Sequence, residues 1–287
     1  MSATIRTVKA GGIDIEIAET GAGGRPLLLL HGLTGAKEDF VDHWDALAER
    51  GWHVVAPDLR GHGASSHPTG TDDYGIARFE ADVLALVDDL GWDRFVLLGH
   101  SLGGMISQLV AIHHSDRLNG LVLMDTVGGP VPGGGVTFLL FNVAGRIFGV
   151  KLMARVLRKP PPGSPDSVRR LYAERPGWAD DVQSKILASS PVMSRALLSE
   201  LHDTPDRLPD LGRLDLPVLI IVGEHDIPGF VEASQAMADA IPGATITVLE
   251  GAAHSPQFET PDAWWATLTQ FLDALPDDVP ADNEGGH

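Results

Sequence analysis

The stretch from Arg94 to Met105, RFVLLGHSLGGM, restricts the fold of this chain more than any other. An apolar run, Phe95 to Leu98, meets Gly99-His100-Ser101-Leu102-Gly103, and helical periodicity begins at once. Strand, sharp turn and helix in that order force the central serine out of the sheet, where a ligand can reach it. Glycine is required on both sides, because a Cβ at 99 or 103 would collide with the neighbouring strand or helix. The turn also sets the amide of Leu102 at a helix N-terminus, aimed at the oxygen of any carbonyl that Ser101 attacks. A G-x-S-x-G pattern also arises by chance, so its weight lies in the strand before it and the helix after it.

The rest of the chain repeats that alternation. Thr4 to Lys9 and Ile13 to Ala18 alternate about Gly11-Gly12 and predict an antiparallel hairpin at a sheet edge. Pro26 to Leu30 is continuously apolar, as a strand covered on both faces must be. A helix through Phe40, Trp44 and Leu47 follows, then a strand from His53 to Ala56 and a loop from Pro57 to Ser65. Ile76, Phe79, Val83, Leu86 and Leu90 recur at spacings of three and four, one apolar stripe of a helix. After the elbow helix, Leu121 to Met124 is a short buried strand ending at Asp125; Pro217 to Val222 and Thr245 to Leu249 are two more. A final helix is expected from about Pro261 to Leu275. Such alternation predicts an α/β fold with a doubly wound, mostly parallel sheet, which binds ligands beyond the carboxyl ends of its strands. Residues 131–211 break the pattern with Gly133-Gly134-Gly135, helical apolar stretches and Pro160-Pro161-Pro162, and are read as an inserted helical cap. The expected division is therefore a core of 1–130 with 212–275, a cap of 131–211, and a disordered acidic tail of 276–287.

Charge and cysteine content narrow the partners. With 39 acidic and 21 basic side chains among 287 residues, the net charge of -18 repels nucleic acid and anionic lipid. No cysteine is present, which removes disulfides, thiolate metal sites and a cysteine nucleophile. The N-terminal residues carry no long apolar run, so no secretory signal is read and a cytoplasmic location is expected. A small-molecule substrate is the expected partner; homo-oligomerisation stays open.

A serine hydroxyl needs a base within hydrogen-bond reach and a third group that orients the base. In chain order the sequence offers Ser101, then Asp226 after one strand, then His254 after the last, each just beyond a carboxyl end. Of twelve histidines, His113 and His114 lie at the far end of the elbow helix, His53 starts a strand and His287 is in the tail. His100 adjoins the serine and His225 the acid; His254 alone combines a late strand end with an apolar setting and is the expected base. For the acid, Asp125 and Glu224 compete with Asp226; Asp226 fits the Ser, Asp, His order best, and Asp125, at a strand end where such a residue more often binds nearby backbone, is kept as the minority candidate. A second oxyanion donor is expected from the loop after Leu30, at the amide of Leu33, with Gly32 allowing close approach. His31 is read as bonded within that loop.

His31-Gly32, Asp58-Leu-Arg-Gly-His-Gly-Ala-Ser65, Gly99 to Gly104, Gly223-Glu-His-Asp226 and Gly251-Ala-Ala-His254 together resemble the α/β-hydrolase superfamily. That resemblance implies no cofactor, a structural role for the Asp58 to Ser65 loop, and no metal despite His62 and His67. No H-E-x-x-H is present, and Gly21 to Gly24 precedes a strand instead of following one, so zinc and dinucleotide sites are unsupported. Serine at 101, where dehalogenases and epoxide hydrolases of the superfamily carry aspartate, argues against both. C–C bond hydrolases typically have tryptophan after the catalytic histidine, where this chain has Ser255. The resemblance favours an esterase or lactonase; C–C hydrolysis and cofactor-free perhydrolysis remain alternatives on the same triad, and a non-catalytic small-molecule receptor is the alternative of another class.

The predicted cap bears on the substrate. Val136, Phe138, Leu139, Leu140, Phe141, Val143, Ile147, Phe148 and Val150 must face something apolar. Asn142, Gly145, Arg146 and Gly149 interrupt the run, which falls short of the roughly 20 apolar residues of a membrane span. The expected pocket therefore lies beneath the cap, lined by Gly32, His100, Phe138, Phe141 and Trp178, and takes an uncharged, medium-sized hydrophobic ester or lactone.

Overall fold

The computed structural model describes residues 3–130, 152, 154–202 and 205–276, with side chains described in all of these but 198–202. Expectations that fall on 131–151, Phe138 and Phe141 included, and on the tail beyond Pro276 lie outside the described residues.

Among the described residues one sheet of eight strands runs through the molecule. The strands are β1 (Thr4–Ala10), β2 (Ile13–Thr20), β3 (Arg25–Leu30), β4 (Trp52–Pro57), β5 (Phe95–His100), β6 (Leu118–Met124), β7 (Val218–Gly223) and β8 (Thr245–Leu249). Their spatial order is β1-β2-β4-β3-β5-β6-β7-β8. β1 and β2 form the hairpin that the glycine pair predicted, and β2 pairs antiparallel with β4; from β4 onward every pairing is parallel. Placing β3 and β5 in the middle puts their loops, Leu30 to Gly35 and the Ser101 turn, side by side at one sheet edge.

Each central strand feeds two cores because successive side chains point to opposite faces. Leu28, Leu30, Leu97, Leu121 and Leu123 face one layer, packed by α2 (Ile76–Asp89), α3 (Leu102–His113) and α8 (Phe230–Ala240). Leu27, Leu29, Val96, Leu98, Val122 and Met124 face the other, packed by α1 (Trp44–Glu49) and α10 (Pro261–Ala274) through Trp44, Leu47, Trp264, Leu268 and Leu272. Two covered faces explain why these strands read as continuous apolar runs.

The helix expected through Phe40, Trp44 and Leu47 is broken. Lys37–Phe40 is a short 3-10 turn, and α1 begins only at Trp44. The Asp58 carboxylate accepts the Lys37 main-chain N–H at 2.9 Å and the Lys37 ammonium at 2.9 Å, which fixes that turn against the β4 loop.

Between β6 and β7 the described chain is helical: α4 (Asp166–Glu174), α5 (Trp178–Leu187), α6 (Pro191–His202) and α7 (Leu208–Leu211). These helices meet the sheet layer through specific bonds. Lys185 pairs with Asp39 at 2.7 Å, the Ser190 N–H donates to the Gly61 oxygen at 2.7 Å, and the Ser167 hydroxyl donates to the Gly251 oxygen at 2.5 Å. Met193 and Leu197 of α6 are fully buried in the core shared with α2 and α3. Among the described residues no helix is long and apolar enough to cross a membrane. The last helices are α9 (Pro256–Glu259) and α10.

Candidate active site

Ser101 sits where β5 turns into α3 with φ of 53°, a left-handed conformation that non-glycine residues adopt only when their surroundings hold them there. The surroundings are visible. The Ser101 N–H donates to the Met124 oxygen at 2.8 Å, and its own carbonyl accepts from the Met105 N–H at 3.1 Å and the Thr126 hydroxyl at 2.8 Å. The flanking glycines leave no room for alternatives: a Cβ on Gly99 would stand 2.3 Å from the Gly103 oxygen, and one on Gly103 would stand 2.5 Å from the Leu30 oxygen.

Two loops bring Asp226 and His254 to the serine. The His225 N–H donates to the Ala252 oxygen at 2.8 Å, and Glu224 accepts the Gly251 N–H at 2.9 Å, so the loops after β7 and β8 are laced together. His254 Nδ1 lies 2.6 Å from Asp226 Oδ1, and its Nε2 lies 3.0 Å from the Ser101 hydroxyl oxygen. A carboxylate only accepts, so Nδ1 carries the proton and Nε2 presents a lone pair to Ser101. The Asp226 side chain is wholly buried and also takes the Ile227 N–H at 2.6 Å. Burial pushes the His254 imidazole down, but the charge and hydrogen bond of Asp226 outweigh it, and its pKa ends above the usual 6.5. The arrangement can take a proton from Ser101 and hold it.

Gly32 lies against the serine: a Cβ there would be 3.2 Å from both Ser101 Cβ and His100 Nδ1. Leu33 is held from behind by His62, whose Nε2–H donates to the Leu33 oxygen at 2.8 Å. Burial, with the neighbouring His31 charge, pushes His62 down to about 3, so the ring is neutral at ordinary pH. His31 is buried, accepts the Leu59 N–H at 3.0 Å and sits 2.7 Å from the Gly32 oxygen. Leu102 opens α3, whose N-terminal dipole end faces the elbow. His100 reaches the other loop, with Nε2 at 2.7 Å from the main-chain oxygen of His254.

Trp178 opens α5. Its ring packs edge-on against Phe258 with centroids 4.7 Å apart, and both line a cleft of about 380 Å3 with Lys37, Asp58 and Lys185. That lining holds none of Ser101, Asp226 and His254.

Two contacts of the site are not carried by the sequence. Phe230 stands edge-on to the His254 ring at 5.5 Å, and its only signal was an apolar residue opening the helix after the Asp226 loop. Asp125 is wholly buried, accepts the Gly223 N–H at 2.9 Å through Oδ1, and touches the Asp226 carboxyl group. The sequence showed it at a strand end but not which neighbour it meets.

Residues 25–140 match the family model described as alpha/beta hydrolase fold. Epoxide hydrolase A of Mycobacterium tuberculosis is 28% identical, with 95% of this chain and 98% of that protein covered. 3-Oxoadipate enol-lactonase 2 of Acinetobacter baylyi is 28% identical, covering 90% of this chain and 92% of the relative. The crystal structure of a hydrolase from Pseudomonas aeruginosa superposes with a TM-score of 0.80 at 27% identity, covering 94% and 99% of the two chains. With the sheet order, the serine turn and these likenesses in agreement, the chain has the α/β-hydrolase fold.

Proposed function

We propose that this chain is a serine hydrolase of carboxylic esters or lactones that works through an acyl-enzyme on Ser101. The observation that carries the reading is the bonded line from the Ser101 hydroxyl through His254 to the buried Asp226, 3.0 and 2.6 Å long. In the first step Ser101 Oγ attacks the carbonyl carbon while its proton passes to His254 Nε2. The oxyanion is received by the amides of Leu33 and Leu102. Collapse expels the alcohol oxygen, which takes the proton back from Nε2; a water then repeats the sequence on the acyl-enzyme and releases the acid. Asp226 stays ionised throughout and stabilises the imidazolium.

A relative whose name is enol-lactonase supports the lactone side of the reading. The epoxide hydrolase relative does not transfer its chemistry, because serine stands at the elbow where that branch carries aspartate. The nine apolar side chains of 136–150 favour an uncharged, hydrophobic acyl group beneath a cap formed by 131–211. Each methylene so buried would add about 0.8 kcal/mol to binding.

Labelling with a fluorophosphonate serine probe, competed by a panel of esters and lactones, tests the reading. Label on Ser101, abolished in Ser101→Ala and His254→Ala, is expected. Hydrolysis persisting in Ser101→Ala above a trace overturns it, because oxyanion donors and binding alone leave only a small residual rate.

A further inference from the structure

Two carboxyl groups meet in the floor of the site, and only one has the donors a charge needs. Asp226 Oδ1 accepts two N–H bonds, from His254 Nδ1 and from the Ile227 amide, both at 2.6 Å. Asp125 receives one, from Gly223 at 2.9 Å, on Oδ1. Their remaining oxygens, Asp125 Oδ2 and Asp226 Oδ2, are both buried and have no other hydrogen-bond partner. One oxygen from each carboxyl group and a ring nitrogen of His254 lie within 4.8 Å of one another. Two carboxylates so placed repel each other, and a single proton between the orphaned oxygens satisfies both.

We propose that Asp125 is a protonated carboxylic acid whose Oδ2–H donates to Asp226 Oδ2, making Asp125 the positioning residue for the acid that orients His254. The proposal rests on the reading of Ser101, His254 and Asp226 as a catalytic triad. The proton belongs on Asp125 because Asp226 already gathers two donors and Asp125 one. The groups facing Asp125 point the same way: burial, the Asp226 charge and, further off, the Glu259 carboxylate all push its pKa well up, with only the Gly223 N–H opposing. His254 stands beyond Asp226 and carries charge only when protonated.

The backbone is built to present this group. Asp125 has φ of 47°, and its N–H donates to the Ile221 oxygen at 2.9 Å. Met124 before it and Thr126 after it both bond to Ser101. Asparagine tolerates the left-handed conformation and can reproduce both bonds, accepting from Gly223 and donating to Asp226. Alanine can reproduce neither.

The test compares Asp125→Asn with Asp125→Ala in the full chain. The infrared carbonyl stretch of a protonated carboxylic acid, isotope-edited with labelled aspartate, is expected in the parent protein at neutral pH and absent in Asp125→Asn. Asp125→Ala should lose kcat by about tenfold to hundredfold, the scale of a hydrogen bond to a charged group, with KM little changed. Its acidic limb of the pH profile should move to higher pH, because an unassisted Asp226 carboxylate pulls harder on the His254 proton. Asp125→Asn should restore most of kcat and leave the acidic limb where the parent has it. An Asp125 carboxylate would instead give no acid carbonyl band, and Asp125→Asn would then shift the limb to lower pH; either result overturns the proposal. Full activity in Ser101→Ala or Asp226→Asn would overturn the triad reading instead, and the infrared band, which needs no turnover, keeps the two failures apart.

Discussion

His100 and His254 are tied across the site: His100 Nε2–H donates to the main-chain oxygen of His254 at 2.7 Å. The bond links the residue before the serine to the residue that must reach it, so the elbow and the last loop hold one separation. Burial, helped by the His254 charge, pushes His100 down to about 4, which keeps the ring neutral and Nε2 protonated for this single bond. His100→Ala should leave KM nearly unchanged and lower kcat by about tenfold to hundredfold, the usual consequence of a displacement near 1 Å at a reacting pair. Steady-state kinetics on a good ester decide it; an unchanged kcat means the loop needs no tether.

The pH profile of kcat/KM should show where His254 titrates. Only the neutral ring can accept the serine proton, so activity is lost as pH falls through the His254 pKa. That pKa lies above 6.5: burial lowers it, and the Asp226 charge and hydrogen bond raise it by more. The acidic limb is therefore expected above pH 6.5. Asp226→Asn should move the residual limb to lower pH and reduce kcat by roughly four orders of magnitude, because the ring is then held in the wrong tautomer. A limb that does not move in Asp226→Asn would take the acid's role away from Asp226.

The sequence was most legible where one residue type alone satisfies the backbone. Gly99 and Gly103 announced the elbow because the collisions they avoid are with main-chain atoms, and the continuous apolar strands announced a sheet covered on both faces. Ser101, Asp226 and His254 could be placed because each directly follows the end of a strand or stands in the loop beyond it. What local patterns do not carry is which side chains meet across loops. Phe230 on His254, His62 behind Leu33 and Asp125 against Asp226 depend on three-dimensional loop paths. The break before α1 was hidden for a similar reason: Phe40, Trp44 and Leu47 keep helical spacing, but the Asp58 carboxylate, distant in sequence, fixes the preceding turn. The edge-on contact of Trp178 with Phe258 is another such meeting across segments that no local pattern carries.

His100 and Asp125 should give stability opposite dependences on pH. The folded pKa of His100, about 4, is below the ordinary 6.5, so the unfolded chain binds the proton first. Its contribution is complete above pH 6.5 and is lost as pH falls toward about 4. Asp125 has a folded pKa raised by burial and by Asp226, above the ordinary 3.8. Its contribution is complete below pH 3.8 and is lost as pH rises through the folded value. Each group adds a slope of about 1.4 kcal/mol per pH unit inside its window. Urea unfolding between about pH 4.5 and 6 should show the parent chain losing stability against His100→Ala as pH falls, and against Asp125→Asn as pH rises. Parallel curves for either pair would mean that the group does not change its proton on folding.

Gly223 offers a test of how tightly the loops after β7 and β8 are fitted. It ends β7, and its N–H donates to Asp125. A Cβ added there would stand 2.0 Å from the Ala253 oxygen and 2.7 Å from the Ala252 oxygen, both main-chain atoms that cannot swing aside as a flexible side chain would. Relief requires the segment carrying Ala253, and with it His254, to move away from β7. Because His254 Nε2 must stay 3.0 Å from the serine oxygen, even a shift of about 1 Å should lower kcat/KM on the order of hundredfold. Gly243→Ala is the control: it lies between α8 and β8 with φ of 71° and nothing within 4 Å of the added Cβ, so it costs about 1 kcal/mol of backbone strain and leaves the site alone. Parallel measurements of kcat/KM and of unfolding midpoints on the two variants separate the effects. Gly223→Ala is expected to lose far more activity than its loss of stability explains, and Gly243→Ala to lose a little stability alone. Activity in Gly223→Ala within twofold of the parent would show that β7 yields in place of the His254 loop.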